Sequence, residues 1–335
     1  MRIKKISINL LIMIFLLAGC TTEGQETKLY NDQMTVAVSI PPQKAFVEAI
    51  SEGHVDVVTM IPPGSSPANY QPTAKQMQGL SEAAIYYTIE VPAEVAFIQP
   101  KIKDFNKDIK IVDLFEEVEE IYPVRNFEDE HDEHDEHDEE LDTHDENEDH
   151  NDDVDEHDDN DEHVDGEDIQ NDHDHTGSDP HIWLSPARVQ VMVQSIADSL
   201  SEIDPSRADV YKENADNYIK ELQELDTYIQ NNVKSGASFI MYHPSLGYFA
   251  DDYGLNMTAI EVSGKEATAK EMESIIDYAK QEGIKVIFYQ AEFSSKQAEI
   301  IAKEIGGSVM QIDILSEDYI NNMKNITDTI AKNSN

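Results

Sequence analysis

Eight short runs of β-branched and apolar residues, separated by stretches with helical spacing, set what this chain can fold into. Four of them, 35–40, 55–61, 84–89 and 109–114, lie in the first part; the others, 238–242, 257–262, 285–289 and 308–312, lie in the last. Strands of five to seven residues alternating with helices belong to parallel sheets, because a parallel connection has to cross over through a helix. Two sets of four therefore predict an α/β fold with two Rossmann-like βαβ lobes, each around a four-stranded parallel sheet. The expected boundaries are 34–203 for the first lobe and 234–333 for the second.

The segment between them, 204–233, reads as one long helix. Ser185-Pro186 supplies an N-cap and a first-turn proline for a helix to about Leu200, and Asp204-Pro205 restarts the pattern. Tyr211, Ala215, Tyr218, Leu222, Leu225 and Ile229 then recur at spacings of three and four, one face of a helix over 205–233. About 28 residues at 1.5 Å each span about 42 Å. That length crosses a domain, so the helix should act as a strut between the lobes.

One segment cannot join either core. Residues 128–175 contain 28 acidic residues and nine of the 12 histidines, with no Lys or Arg, and open on three copies of Asp-Glu-His from Asp129 to His137. With little apolar surface and strong self-repulsion, the segment is expected to be disordered. Loosely held imidazoles and carboxylates also suit a borderline divalent cation. The rest of the chain then has three histidines to test for metal chemistry: His54, His181 and His243.

Charge narrows the partners. Of the net −45, the acidic segment carries −28, leaving −17 elsewhere and no basic face to neutralise phosphates. Nucleic acid is not an expected partner. At the N-terminus, Arg2, Lys4 and Lys5 precede an apolar stretch over 6–18 that is short for a membrane span. It ends in Leu17-Ala18-Gly19-Cys20, which resembles a bacterial lipoprotein processing site, and Cys20 is the sole cysteine. The expectation is a signal peptide over 1–19, a lipid on Cys20 and a polar tether over 20–33. Acyl chains at about 0.8 kcal/mol per buried methylene would hold the protein to a membrane.

His181 stands in Asp179-Pro180-His181-Ile182-Trp183, just before a helix, and His243-Pro244 follows the strand over 238–242. Asp313 follows the last strand. Ligands of open α/β sheets bind in the crevice beyond the C-terminal strand ends, where His243 and Asp313 are expected. His54, in a turn before a strand, is expected to be a surface residue. Trp183 is expected to pack between the lobes.

These residues carry a resemblance. The chain resembles the solute-binding lipoproteins of zinc or manganese ABC importers, a cluster that includes the zinc-uptake binding proteins. The pieces are Ser39-Ile40-Pro41-Pro42, the Pro62-Pro63-Gly64-Ser65-Ser66-Pro67 turn, Tyr70-Gln71-Pro72-Thr73, the segment around His181, His243-Pro244-Ser245-Leu246-Gly247-Tyr248, and Phe293-Ser294-Ser295. The resemblance implies a metal held between two lobes by His181, His243 and Asp313, a monomer outside the cytoplasm, and handover to an ABC permease with its ATPase. It also exposes a departure: Ala68 stands where the family usually carries a histidine, and Gln290 where relatives often carry an acid. Two imidazoles and one carboxylate fall short of zinc's usual four ligands. Water, the Asn69 side chain, or His173 or His175 from the acidic segment are the candidates to fill the gap. Six extended residues, the distance from His175 to His181, reach up to about 20 Å.

Imidazole donors favour zinc as the transported ion, with manganese or another divalent ion the second reading. A metal-dependent hydrolase and a surface adhesin are the readings from other classes. No His-Glu-x-x-His pair or other general base supports the hydrolase.

Overall fold

The computed structural model describes residues 33–127, 177–261 and 264–334. The expected signal peptide, Cys20, the tether and the acidic segment with His173 and His175 lie outside the described residues. The first part runs β1 (Met34–Val38), α1 (Pro41–Ser51), β2 (Val55–Thr59), α2 (Ala74–Glu82), β3 (Ile85–Thr88), α3 (Pro92–Phe97), α4 (Ile102–Phe105), β4 (Lys110–Asp113) and α5 (Leu114–Glu119). Two helices follow, α6 (Pro186–Ile203) and α7 (Ala208–Asn232). The last part runs β5 (Ser238–Met241), α8 (Gly247–Tyr253), β6 (Asn256–Ala259), α9 (Ala269–Glu282), β7 (Val286–Gln290), α10 (Lys296–Glu304), β8 (Ser308–Ile312) and α11 (Tyr319–Asn333).

Both sheets are four-stranded and all-parallel, and they share one topology: β2-β1-β3-β4 and β6-β5-β7-β8. The strand pleat sorts side chains into two layers in each lobe. Val36 and Val38 of β1, Ile85 and Tyr87 of β3, Phe239 and Met241 of β5, and Phe288 of β7 belong to one continuous apolar core. The alternate residues Ala37 and Tyr86 pack outward under α2 and α4, and Ile240 and Ile287 pack under α9 and α10. The inner core passes from sheet to sheet through Trp183, α6 and α7.

The long helix is slightly shorter than its periodicity suggests. Asp204 has a non-helical backbone, and Pro205–Arg207 form one 3-10 turn before α7 begins at Ala208. The Asp204 carboxylate caps this break by accepting from the hydroxyls of Ser206 and Tyr211 and pairing with Arg207. The remaining 25 residues still span about 38 Å. Their buried stripe is Tyr211, Ala215, Leu222, Leu225 and Ile229, as the spacing predicts, with Tyr218 partly buried beside it. Ser185 caps α6 as expected, its hydroxyl accepting from the Arg188 N–H.

Several strands stop one to three residues before their apolar runs do. The ladder does not fail there. Met60 and Ile61 still donate to the carbonyls of Val38 and Ser39, but the chain is already turning into the crevice. Beyond α10, Gly306 has φ of 63°, and a Cβ on Gly307 would sit 2.0 Å from the Lys285 carbonyl oxygen. The Gly306-Gly307 pair thus ends the helix and lets the last strand start close against its neighbour.

Candidate metal site

His181 and His243 come from distant parts of the sequence to lie side by side. Their ring centroids are 5.1 Å apart at an interplanar angle of 66°. His181 is carried by the turn Ile182–Leu184 ahead of α6. Trp183 fixes that turn to the last part of the chain: its indole N–H donates to the Ile314 carbonyl at 2.8 Å. His243 follows β5, where Pro244 forces the chain out of the ladder.

A carboxylate faces Nδ1 of each ring. Asp179 Oδ1 is 2.6 Å from Nδ1 of His181 and also accepts the His181 backbone N–H at 3.0 Å. Glu261, at the crevice end of β6, places Oε1 3.4 Å from Nδ1 of His243, a longer and weaker contact. A ring that donates Nδ1–H to a carboxylate keeps the Nε2 lone pair available, the usual way a metal-binding imidazole is oriented. Burial holds the His243 pKa below the ordinary histidine value, with Glu261 opposing and His181 adding to the shift. His243 is therefore a neutral donor near pH 7. The Phe293 ring stacks on it at 4.4 Å and 16°.

Both rings line a pocket of about 60 Å3 together with Glu292. The opposite wall, formed by Ala68, Val91 and Pro92 with Phe127 beside them, offers no donor side chain. That volume suits an ion with a water or two and is far below the roughly 300 Å3 or more of organic-ligand sites.

The other expected site residues fall differently. Asp313 is exposed and is not among the pocket-lining residues, although its neighbour Ile314 is. Its Oδ1 accepts the Leu315 N–H at 2.8 Å, which turns the carboxylate toward its own loop. Asn69 is exposed and outside the pocket lining, whereas Ala68 is in it. His54 is exposed in the turn before β2. Gln290 is fully buried, and its amide donates to the His243 carbonyl at 3.1 Å and the Ser245 hydroxyl at 2.5 Å. It holds the His243 loop rather than facing the pocket. Among the described residues, no three His, Cys, Asp or Glu side chains converge closely enough to hold an ion in this geometry.

Three acidic residues act here without a motif to announce them. Asp179 and Glu261 matter only through their partners, which lie in a turn and on a neighbouring strand. Glu292 carries a signal of another kind: it is a carboxylate just past the C-terminal end of a parallel strand, where such sheets bind ligands. Burial raises its pKa, a hydrogen bond from its own backbone N–H opposes the rise, and Asp313 adds to it. Its Oε2 is buried without a hydrogen-bond partner.

The described residues on either side of the acidic segment meet at this pocket. Asn126 and Ser178 form an antiparallel bridge, and Phe127, a pocket residue, donates its N–H to the Gly177 carbonyl at 3.0 Å.

The chain is similar to several known proteins. The chain is 28% identical over 313 residues to the high-affinity zinc uptake system protein ZnuA of Bacillus subtilis, covering 90% of this chain and 85% of that protein. It is 42% identical over 133 residues to the zinc-binding protein AdcA of Streptococcus pyogenes, but that alignment covers 38% of this chain and 26% of AdcA. The chain thus spans about a quarter of that relative's length. A crystal structure of ZnuA superposes with a TM-score of 0.72 at 31% identity, covering 90% of this chain and 99% of that one. Residues 36–333 match the profile of the family described as zinc-uptake complex component A, periplasmic, and the chain belongs to that family.

Proposed function

We propose that the protein is the extracytoplasmic solute-binding component of a zinc ABC importer. It takes up Zn2+ in the pocket between the lobes and passes it to a membrane permease driven by an ATPase. The observation that carries this is the pair of imidazoles 5.1 Å apart, His181 buried and His243 partly buried, each with a carboxylate at Nδ1. That arrangement leaves Nε2 of each ring to serve as a nitrogen donor for one ion. Nitrogen donors favour zinc over manganese, which prefers an oxygen-rich shell. The small pocket volume speaks against a metal-dependent hydrolase, because an organic substrate needs several times more room beside the ion.

His181 and His243 are the proposed core ligands, with an acid from the crevice edge beside them. Cys20 is the proposed point of lipid attachment, keeping the protein at the outer face of the cell membrane. The test is metal analysis and chelator competition on the purified protein and on His181→Ala and His243→Ala. Each variant is expected to lose tightly bound zinc. Retention of zinc at the original affinity in both would overturn the assignment.

A further inference from the structure

We propose that the Glu292 carboxylate is a zinc ligand alongside His181 and His243. The inference deepens the zinc-binding reading above and rests on it. Glu292 lines the same pocket as both imidazoles, whereas Asp313 does not. Its Oε2 is buried with no hydrogen-bond donor, and no ion pair engages the side chain among the described residues. A carboxylate oxygen taken out of water without a donor is costly, and a cation is the partner that would offset the cost. Asp313 lacks that need, since it is exposed and already accepts the Leu315 N–H.

The backbone delivers Glu292 together with His243. On one side of it, Gln290 holds the His243 carbonyl and the Ser245 hydroxyl. On the other, Phe293 stacks on the His243 ring. The stretch 290–293 is therefore fastened to the His243 loop at both ends, and any shift of that loop carries Glu292 with it. The facing wall of Ala68, Val91 and Pro92 has no donor to compete. Two neutral imidazoles and one carboxylate would leave the bound ion with a single net positive charge and room for a water as the fourth ligand. Since the donors do not converge without the ion, binding must draw the carboxylate inward by a side-chain rotation.

The test uses the purified protein with zinc as the probe. Affinities of the wild type, Glu292→Gln, Asp313→Asn and His181→Ala are measured by chelator competition. Thermal melts of the metal-free forms check that each variant folds. Glu292→Gln is expected to weaken zinc binding by about 100-fold, the upper range for residues that orient ligands, and Asp313→Asn by less than about 3-fold. Wild-type affinity in Glu292→Gln, with zinc lost from His181→Ala, would overturn this inference and leave the zinc-binding reading standing. Zinc retained by His181→Ala would sink the underlying reading instead. If Glu292→Gln fails to fold, Glu292→Ala and Glu292→Asp measured in the same way decide the matter. A zinc affinity lowered at least about 10-fold in Glu292→Ala is expected, and wild-type affinity in it would overturn the proposal.

Discussion

The two lobes share a strand order and yet use the same sheet edge in opposite ways. In the second lobe, the loops beyond β5 and β7 turn His243 and Glu292 into the pocket. In the first lobe, the residues beyond β1 and β3 turn their polar groups inward. Glu94 is fully buried there, accepting from the Ser39 hydroxyl, from the Ile89 N–H at 3.1 Å and from the Gln99 amide at 3.0 Å. Tyr86 joins through Ser39 at 2.8 Å. Among the described residues of the loops beyond β2 and β3, it is the apolar side chains Pro67, Ala68, Val91 and Pro92 that line the pocket. The strand ends supply chemistry in the second lobe and shape in the first, whose one imidazole at the pocket, His181, comes instead from the turn ahead of α6. An α/β topology thus fixes where a site can be but not which lobe furnishes its donors.

The largest effect expected from this contrast is on stability. Burial pushes the Glu94 carboxyl up to about 8, with Glu90 and Asp113 adding to the rise against the hydrogen bonds of Ser39 and Gln99. Glu90 is itself raised by burial and by Asp113. A carboxyl raised in the folded state favours the fold fully below its unfolded value, near 4.5, and that contribution is lost as pH rises through about 8. Metal-free wild type should therefore lose on the order of 4 kcal/mol of stability between pH 5 and pH 9 from this group. Glu94→Gln should flatten that slope in chemical denaturation. Parallel slopes for the two proteins would show that the buried acid is ionised at no cost.

Next in size is the conversion of the apolar wall into a donor wall. Ala68→His places an imidazole where the family usually has one, on a residue that already lines the pocket. Zinc affinity is expected to rise about 100-fold, about 2.7 kcal/mol, in chelator competition. No gain would mean that the loop carrying Ala68 does not approach the ion even when zinc is bound.

The smallest effect concerns strain. Glu90, just before the wall residues Val91 and Pro92, has φ of 61°, a left-handed conformation that suits glycine better. No residue of the matching 290–293 stretch has a positive φ. Glu90→Gly should relieve that strain and one like-charge contact, raising stability by about 1 kcal/mol with zinc affinity unchanged within about 2-fold. A loss of stability in thermal melts would show that the Gln99 amide bond to Glu90 outweighs the backbone term.

Much of the fold was legible because its signals are local. The pleat alternation in β1 and β5 and the three-and-four spacing from Tyr211 to Ile229 depend on residues close in sequence, so they survive without tertiary information. His181 and His243 were legible as residues at element junctions. Asp313 and Asn69 show where such reasoning stops. Both stand at plausible positions by chain order, but Asp313 Oδ1 accepts the Leu315 N–H in the turn after β8, and Asn69 lies outside the pocket lining that Ala68 joins. Glu292 is the converse: two residues past Gln290, it lacks any motif, and what marks it is a buried, unpartnered Oε2 on the pocket that both imidazoles line.

Local pattern is enough for two parallel four-stranded lobes, the long helix between them and two histidines at element junctions. Tertiary structure alone decided that the imidazoles lie 5.1 Å apart, that Asp179 and Glu261 orient them, and that Glu292 rather than Asp313 lines the pocket. The reason is physical. Periodicity reports which face of an element is buried, but the aim of a side chain just past a strand is set by the turn that follows and by neighbours from other strands, and neither is written in local spacing.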